Sequence, residues 1–155
     1  MHIRPATLDD IEPVASAMRI RDVQEVFAAT GQRPHDALFD ALVDPTFAYA
    51  IADETGTFCL FGVSHYFDQI GSPWLLATDR LMKHKRILLT HAPRYISEMQ
   101  QHHPILLNYV DARHSDSIRW LRHMGFKLTG YEIHYGYERR PFFQFSMVSS
   151  QCARQ

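Results

Sequence analysis

The apolar positions in the first third of the chain repeat with the period of helices. A helical spacing over residues 8–18 follows a short strand at residues 2–6. A second helical pattern covers residues 20–30 and stops at Gly31, a residue that commonly ends helices. A third covers residues 34–43 and begins with a proline, which suits the first turn of a helix. This part of the chain therefore predicts one strand and three helices.

The spacing then changes to that of strands. Apolar-rich runs at residues 47–53 and 57–67 flank the turn signal Glu-Thr-Gly, which predicts a β-hairpin. The Gly-Ser-Pro sequence at residues 71–73 is interpreted as a break in the chain. The next strand is therefore expected at residues 74–79, with Asp79 at its end.

The third quarter of the chain predicts a long helix and a buried strand. A basic stretch at residues 83–86 opens a helical pattern that extends to about residue 103. Pro93 lies inside this pattern and is expected to kink or divide the helix. Residues 105–111 are apolar on both faces, which is typical of a central strand covered by helices on both sides.

A short amphipathic helix and two strands complete the predicted domain. The helix covers residues 115–124, with Ser115 as its cap and Gly125 at its end. Residues 126–135 and 142–148 are predicted to form an antiparallel pair. The full order is β-α-α-α-β-β-β-α-β-α-β-β, which predicts an α+β fold with a mixed sheet and helices on both faces.

Length and composition indicate one ordinary globular domain, expected at residues 1–149 with a flexible tail at residues 150–155. The chain has 155 residues, of which 46% are hydrophobic and 21% charged. Its net charge of −1 argues against nucleic acid as a partner. No apolar run approaches the length of a membrane span. Cys59 lies in an apolar run, so a buried free thiol and a reducing compartment are the expectation.

Two segments resemble the GNAT superfamily of acyl-CoA-dependent N-acetyltransferases. They are Trp-Leu-Leu-Ala-Thr-Asp at residues 74–79 and LLNYVDARHSDSIRWLRHMGFKL at residues 106–128. A narrower resemblance is to short GNAT-like proteins of tailed phages, including internal virion protein A. The resemblance implies a GNAT-like, mostly antiparallel sheet with a central parallel strand pair. It also implies acetyl-CoA as cofactor and a small amine or a host or virion protein as partner. A homodimer, and a location in the host cytoplasm or the virion, are further expectations.

The family binds the cofactor pyrophosphate with a glycine-containing loop before a helix, and this chain departs from that pattern. The corresponding segment is LMKHKRILLT, and no glycine occurs between Gly71 and Gly125. Its basic residues could supply charge to the phosphates, or they could form an ordinary solvated face. The candidate cofactor-binding residues are Leu76, Ala77, Thr78, Lys83, His84, Lys85, Arg86 and Ser115.

Three residues are candidates for the base that takes a proton from an amine: Asp79, Asp111 and His114. Each follows or ends one of the two strands expected to be parallel. Asp111 could equally cap the following turn, as Ser115 could cap the helix. No set of histidines has convincing metal-ligand spacing, so no metal site is assigned.

The proton donor that the family often uses is also missing. The resemblance places a tyrosine where this chain has Leu121, although Tyr109, Tyr131 or Tyr135 could substitute. Two hypotheses therefore stay open. The chain is an acyl-CoA-dependent N-acetyltransferase, or it is a catalytically degenerate protein of the same fold that serves virion assembly or binds a host protein.

Overall fold

The computed structural model describes residues 1–150, so residues 151–155 of the expected tail lie outside it. One seven-stranded sheet runs through the described chain in the order β1-β2-β3-β4-β5-β7-β6. Only β4 and β5 are parallel; the other neighbours are antiparallel. The strands are β1 (His2–Pro5), β2 (Phe47–Asp53), β3 (Gly56–Phe67), β4 (Ile70–Ala77), β5 (Ile105–Asp111), β6 (Lys127–Tyr135) and β7 (Arg140–Val148).

Helices cover both faces of this sheet. One face carries α1 (Ile11–Ala15), α2 (Ile20–Thr30) and α3 (Pro34–Val43), and the other carries α4 (Lys85–His102) and α5 (Ser115–His123). Short 3₁₀ turns at Leu8–Asp10 and Asp79–His84 lead directly into α1 and α4. None of the helices formed by residues 1–150 combines the length and the apolar character needed to cross a membrane.

Each face has its own core. The α1–α3 face buries Ile11, Val14 and Leu38 against Ala50 and Leu60 of the central strands. The α4–α5 face buries a larger cluster that includes Phe58, Leu88, Met99, Leu106, Val110, Phe126 and Phe145. The predicted α+β class, the mostly antiparallel sheet, the central parallel pair and the helices on both faces are confirmed.

The predicted break at residues 71–73 is wrong, because β4 begins at Ile70 and passes through Gly71 and Pro73. Pro73 pairs with Val63 at a position whose backbone N points away from β3, so the missing N–H removes no bond to β3. A Cβ on Gly71 would clash with the ring of His103, so glycine allows this ring to pack on the strand.

Three further boundaries differ from the expectation. Since β4 ends at Ala77, Asp79 opens a 3₁₀ turn and does not end the strand. The α4 helix runs unbroken past Pro93, so the helix is not divided there. Ser115 is the first residue of α5 and does not cap it, because His114 occupies the N-cap position and no side chain caps the helix.

A buried carboxylate fixes the start of α1 to the sheet. Asp10 accepts two hydrogen bonds from the Arg4 guanidinium, at 2.8 and 2.9 Å, and one from the Thr57 hydroxyl at 2.7 Å. It also accepts the Thr7 N–H at 2.9 Å. Burial alone would raise the pKa of Asp10, but these hydrogen bonds outweigh burial and lower the pKa to about 2.

Asp10→Asn should therefore destabilise the protein at neutral pH by about 2 kcal/mol, the linkage value of a shift from 3.8 to about 2. A lowered pKa stabilises the fold above the unfolded-state pKa, and this contribution disappears as the pH falls through the folded-state value. The stability difference between the wild type and Asp10→Asn, measured by urea unfolding, should be constant above pH 5 and shrink between about pH 4 and pH 2. Asp9→Asn, at the exposed neighbouring residue, should show no such pH-dependent difference.

Candidate functional site

The two parallel strands separate after two residue pairs. Ile70 pairs with Ile105 and Gly71 with Leu106, and no later residue of β4 pairs with β5 in the described chain. Asn108 bridges the strands where they part: its Nδ2 donates to the Pro73 carbonyl at 2.8 Å, and its Oδ1 accepts the Tyr109 N–H at 2.8 Å. The sheet therefore opens into a gap beyond Asn108, between the C-terminal halves of β4 and β5.

The backbone of β4 presents free hydrogen-bonding groups to this gap. The Thr78 N–H donates to the Phe58 carbonyl of β3 at 2.9 Å, so the backbone groups of Thr78 face β3. In an antiparallel ladder the backbone groups of alternate residues point to opposite sides, so those of Leu75 and Ala77 face the gap. Both groups of Ala77 are occupied, its N–H by Asp22 and its carbonyl by the Arg19 N–H, each at 2.9 Å. The N–H and carbonyl of Leu75 face the gap, and no strand residue of β5 pairs with them.

One helix holds both separated strands. Asp22 and Glu25 lie three residues apart on α2, so their side chains share one face of the helix. Asp22 accepts the Ala77 N–H of β4, and Glu25 Oε1 accepts the Asp111 N–H of β5 at 2.8 Å. The two carboxylates thereby replace hydrogen bonds that β4 and β5 would otherwise make with each other.

The two carboxylates sit in different environments. Asp22 is buried and forms a two-bond ion pair with Arg19, at 2.9 and 3.0 Å. Burial raises the pKa of Asp22, against the opposing effects of Arg19 and the Ala77 N–H. Glu25 is half-buried, faces the cavity in the gap, and has His114 Nδ1 at 3.7 Å. Asp22 is therefore committed to the scaffold, whereas Glu25 can meet a ligand.

A cavity of about 660 Å³ passes through the gap, a volume within the range of small-molecule sites. On the α1–α3 face it is lined by Glu25, Val26, Ala29, Trp74 and Tyr135 among others. On the α4–α5 face its lining includes Lys85, Leu88, Tyr95, Trp120 and Leu121. Leu75 lines it between the two faces, so the cavity gives each face access to the same stretch of backbone.

None of the three predicted bases lines this cavity. Asp111 is fully buried, and its carboxylate accepts three bonds from the Arg113 guanidinium at 2.7 to 3.1 Å. Burial raises the pKa of Asp111, but the bonds from Arg113 outweigh burial and leave the pKa below its ordinary value. His114 lies at the rim, 3.4 Å from Gln24, and Asp79 is exposed in its 3₁₀ turn.

Only two of the predicted cofactor-binding residues line the cavity. Leu76 and Lys85 line the cavity, and the Lys85 Nζ lies 5.9 Å from the centre of the Trp120 ring. His84 instead stacks on Phe58 at 4.7 Å and lies 3.4 Å from Asp53. The others are either buried with strand partners or exposed outside the cavity: Ala77, Thr78, Lys83, Arg86 and Ser115.

Two of the three tyrosines considered as substitute proton donors lie beside the gap, in the same cavity as Glu25. The rings of Tyr109 and Tyr135 stack at 4.3 Å, and both line the cavity, whereas Tyr131 packs on Phe143 at 5.0 Å. Burial is the main cause that raises the pKa of Tyr135 to about 12, so its phenol stays protonated at neutral pH. The turn after β6 is fixed to α2, because the Tyr137 N–H donates to the Ala29 carbonyl at 3.1 Å.

Three residues at the gap are not among those predicted from the sequence: Glu25, Asp22 and Leu75. A signal for the first two exists in the α2 pattern, where two carboxylates interrupt a helical face that continues with Val26 and Ala29. Charges at core-facing positions indicate a buried polar role. The part of Leu75 that faces the gap is its backbone, so its side chain gives no signal in the sequence.

No family model matches the sequence, and no curated protein sequence matches it. Solved structures do match. Ard1 from Thermoplasma volcanium gives a TM-score of 0.71 at 15% identity, over 96% of this chain and 97% of that chain. The ribosomal-protein-S18-alanine N-acetyltransferase from Escherichia coli gives 0.68 at 11% identity, over 96% and 94%. A GNAT superfamily phosphinothricin acetyltransferase from Sinorhizobium meliloti, solved with AcCoA, gives 0.71 at 13%, over 99% and 91%. The chain therefore has the GNAT fold.

Asp22→Asn should destabilise the protein by about 3–5 kcal/mol, because it leaves the buried Arg19 guanidinium without a counter-charge. Adding Arg19→Met to Asp22→Asn should recover most of this loss, since the asparagine still accepts the Ala77 N–H and no charge stays unpaired. Chemical denaturation of the single and double variants measures the effect. Glu138→Gln, in the exposed pair with Arg140, should cost less than about 1 kcal/mol. Equal losses for the single and double variants would contradict the structural role of this pair.

Proposed function

We propose that this protein is an acyl-CoA-dependent N-acetyltransferase that acts on a small primary amine. The observation that carries the proposal is the gap itself. The unpaired Leu75 backbone and the Glu25 carboxylate border one cavity that is accessible from both faces of the sheet. A thioester entering from the α4–α5 face and an amine entering from the α1–α3 face would meet there. The GNAT fold supports this assignment by analogy.

The backbone of β4 would hold the reacting carbonyl. The Leu75 N–H is a donor fixed by the sheet, and such donors stabilise the negative charge that develops on a carbonyl oxygen under attack. Since the amide is already oriented, it needs no rearrangement when the charge forms. The amine nitrogen forms the new C–N bond, the C–S bond breaks, and the departing thiolate takes up one proton.

Glu25 would receive the proton of the amine. Its carboxylate already accepts the Asp111 N–H through Oε1, which fixes its position beside the gap. A carboxylate in this position attracts an ammonium group and can accept its proton directly or through one water. His114, 3.7 Å from Glu25, is the neighbouring group that can pass the proton toward the surface. Positioning of the amine against the thioester accounts for the rest of the acceleration.

Lys85 is the cation best placed to contact the cofactor phosphates. It is the first residue of α4 and lines the cavity beside Trp120, whereas Lys83 and Arg86 do not line it. The segment that the resemblance places at the family's glycine loop, residues 81–90, lies in the end of the 3₁₀ turn Asp79–His84 and the first turns of α4. It contains no glycine that would let the backbone approach the phosphates. The charge of Lys85 therefore carries a larger share of phosphate binding in this proposal.

The second candidate is a GNAT-fold phage protein without catalysis, which serves virion assembly or binds a host protein. Two observations favour it. Leu121 lines the cavity where the resemblance places a tyrosine, and the segment at the place of the glycine loop contains no glycine. Acetyl-CoA binding and acetyl transfer separate the two candidates, because this alternative requires neither.

Lys85→Ala should weaken the binding of CoA about tenfold, the loss expected for one charge-assisted contact. Lys83→Ala is the matched control, since it removes the same charge two residues away from an exposed position outside the cavity. Calorimetric titration with CoA and acetyl-CoA measures both. Equal affinities for the two variants would exclude Lys85 from the phosphate site, and no binding by the wild type up to millimolar concentrations would favour the non-catalytic candidate.

Glu25→Gln should lower kcat by about 10²–10⁴-fold, because glutamine keeps the bond to the Asp111 N–H but cannot take a proton. The melting temperature and the affinity for acetyl-CoA should stay near those of the wild type. Release of free CoA thiol with a panel of primary amines measures the rate. Glu12→Gln, an exposed substitution on α1, should leave the rate unchanged. Full activity in Glu25→Gln together with a large loss in Asp111→Asn would transfer the role to Asp111.

A further inference from the structure

A second, smaller cavity adjoins the gap on the α1–α3 face. It has a volume of about 230 Å³ and shares Asn108, Tyr109 and Tyr135 with the main cavity. Ser72 and Tyr109 belong to the strand positions that face α1–α3, because they alternate with residues that face α4 and α5. Tyr66, Ser72 and Leu107 complete the lining of the small cavity. The amine that reaches Glu25 therefore lies next to this small cavity.

Tyrosine rings form half of the lining. Tyr109 is held in place by its stack on Tyr135 and by its hydroxyl, which donates to Gln144 Oε1 at 3.1 Å. Tyr66 lies in a β-bulge of β3, between the paired residues His65 and Phe67, and bulges commonly redirect side chains beside functional sites. The cavity is thus bordered by two fixed rings and one exposed ring at its rim. Aromatic faces carry partial negative charge and attract cations.

Two carboxylates lie near the tyrosines of the small cavity. Glu25 and Glu132 lie close enough to the stacked tyrosines to affect their ionisation. Burial is the main cause that raises the pKa of both tyrosines; Glu132 adds to the rise for Tyr109, and Glu25 adds to it for Tyr135. Tyr66 also raises the pKa of both Tyr109 and Tyr135. No lysine or arginine lines the small cavity among the described residues. An anionic group would be disfavoured there, and a compact cation would be stabilised.

We propose that the acceptor is a small diamine, and that the cavity between Tyr66, Tyr109 and Tyr135 seats its second, non-reacting ammonium group. This inference rests on the proposed acetyl transfer and adds its acceptor class. The reacting nitrogen lies beside Glu25, while the distal ammonium occupies the tyrosine cavity and fixes the orientation of the chain between them. A monoamine of equal length lacks the second contact and binds less well. The distal cation is not changed in the reaction.

The test compares 1,4-diaminobutane with 1-aminobutane as acceptors, using thiol release from acetyl-CoA and the ratio of their kcat/KM values. The wild type should prefer the diamine at least about tenfold, which corresponds to one added contact to a charged group. Tyr66→Leu should reduce this preference to about threefold or less, while Tyr66→Phe, which keeps the ring, should preserve it. Phe67→Leu is the matched control, because Phe67 is exposed on the same strand and does not line either cavity.

The outcomes separate the two proposals. Transfer to both amines with similar kcat/KM would overturn the diamine inference and leave the transferase function standing. A diamine preference that survives Tyr66→Leu would also overturn it, and so would a preference that Phe67→Leu reduces to the same extent. If acetyl-CoA binds but no amine is acetylated, both proposals fail. Lysine amide and a lysine-containing peptide complete the panel, and a preference for the peptide over 1,4-diaminobutane would contradict a small-molecule acceptor.

Discussion

Two neighbouring strands cannot separate inside a sheet without leaving backbone N–H and carbonyl groups unpaired, and the rest of this structure is arranged around that constraint. An unpaired buried group costs about 1–3 kcal/mol. Here the groups beyond Gly71 receive other partners: Asn108 binds the Pro73 carbonyl, and α2 binds the Ala77 and Asp111 N–H groups. Leu75 stays open between them, so a stretch of backbone at the middle of the cavity is left for a ligand.

The bonds that α2 supplies to the separated strands also explain how two carboxylates on one helix take separate roles. Asp22 is enclosed with Arg19, and its two oxygens are occupied by the guanidinium and the Ala77 N–H. Glu25, one turn later, is bound through Oε1 and reaches the cavity. Environment rather than residue type separates the buried, ion-paired acid from the one that borders the cavity. The rigid pair also keeps α2 in place, and with it the carboxylate of Glu25.

Local sequence patterns predict most of the fold and little of the candidate site. The helices at residues 20–30 and 34–43 and the strand at residues 105–111 were predicted with the observed bounds, because their periods and end signals are local. Gly71 and Pro73 led to the wrong start for β4. Gly71 makes room for the His103 ring, and Pro73 lies where β4 separates from β5, and only the tertiary structure supplies these two surroundings.

The site depends on contacts between residues that are far apart in sequence. Glu25 and Asp111 are separated by 86 positions, and no local period connects them. The predicted bases came from the strand ends, next to the gap, but the Asp111 side chain turns toward a local partner, Arg113. The backbone of Leu75 is chemically identical to that of every other non-proline residue, so only the separation of the strands distinguishes it.

The hydrogen bond that Glu25 accepts from the Asp111 N–H also bears on which residue the scaffold requires at position 25. A glutamine at this position would accept the same N–H and serve the scaffold equally well. A lineage that kept the fold only for binding would therefore be free to exchange the acid for its amide, whereas the buried partner of Arg19 could not be exchanged alone. The scaffold alone does not require a glutamate at position 25, and the proposed proton transfer would give its charge a physical reason.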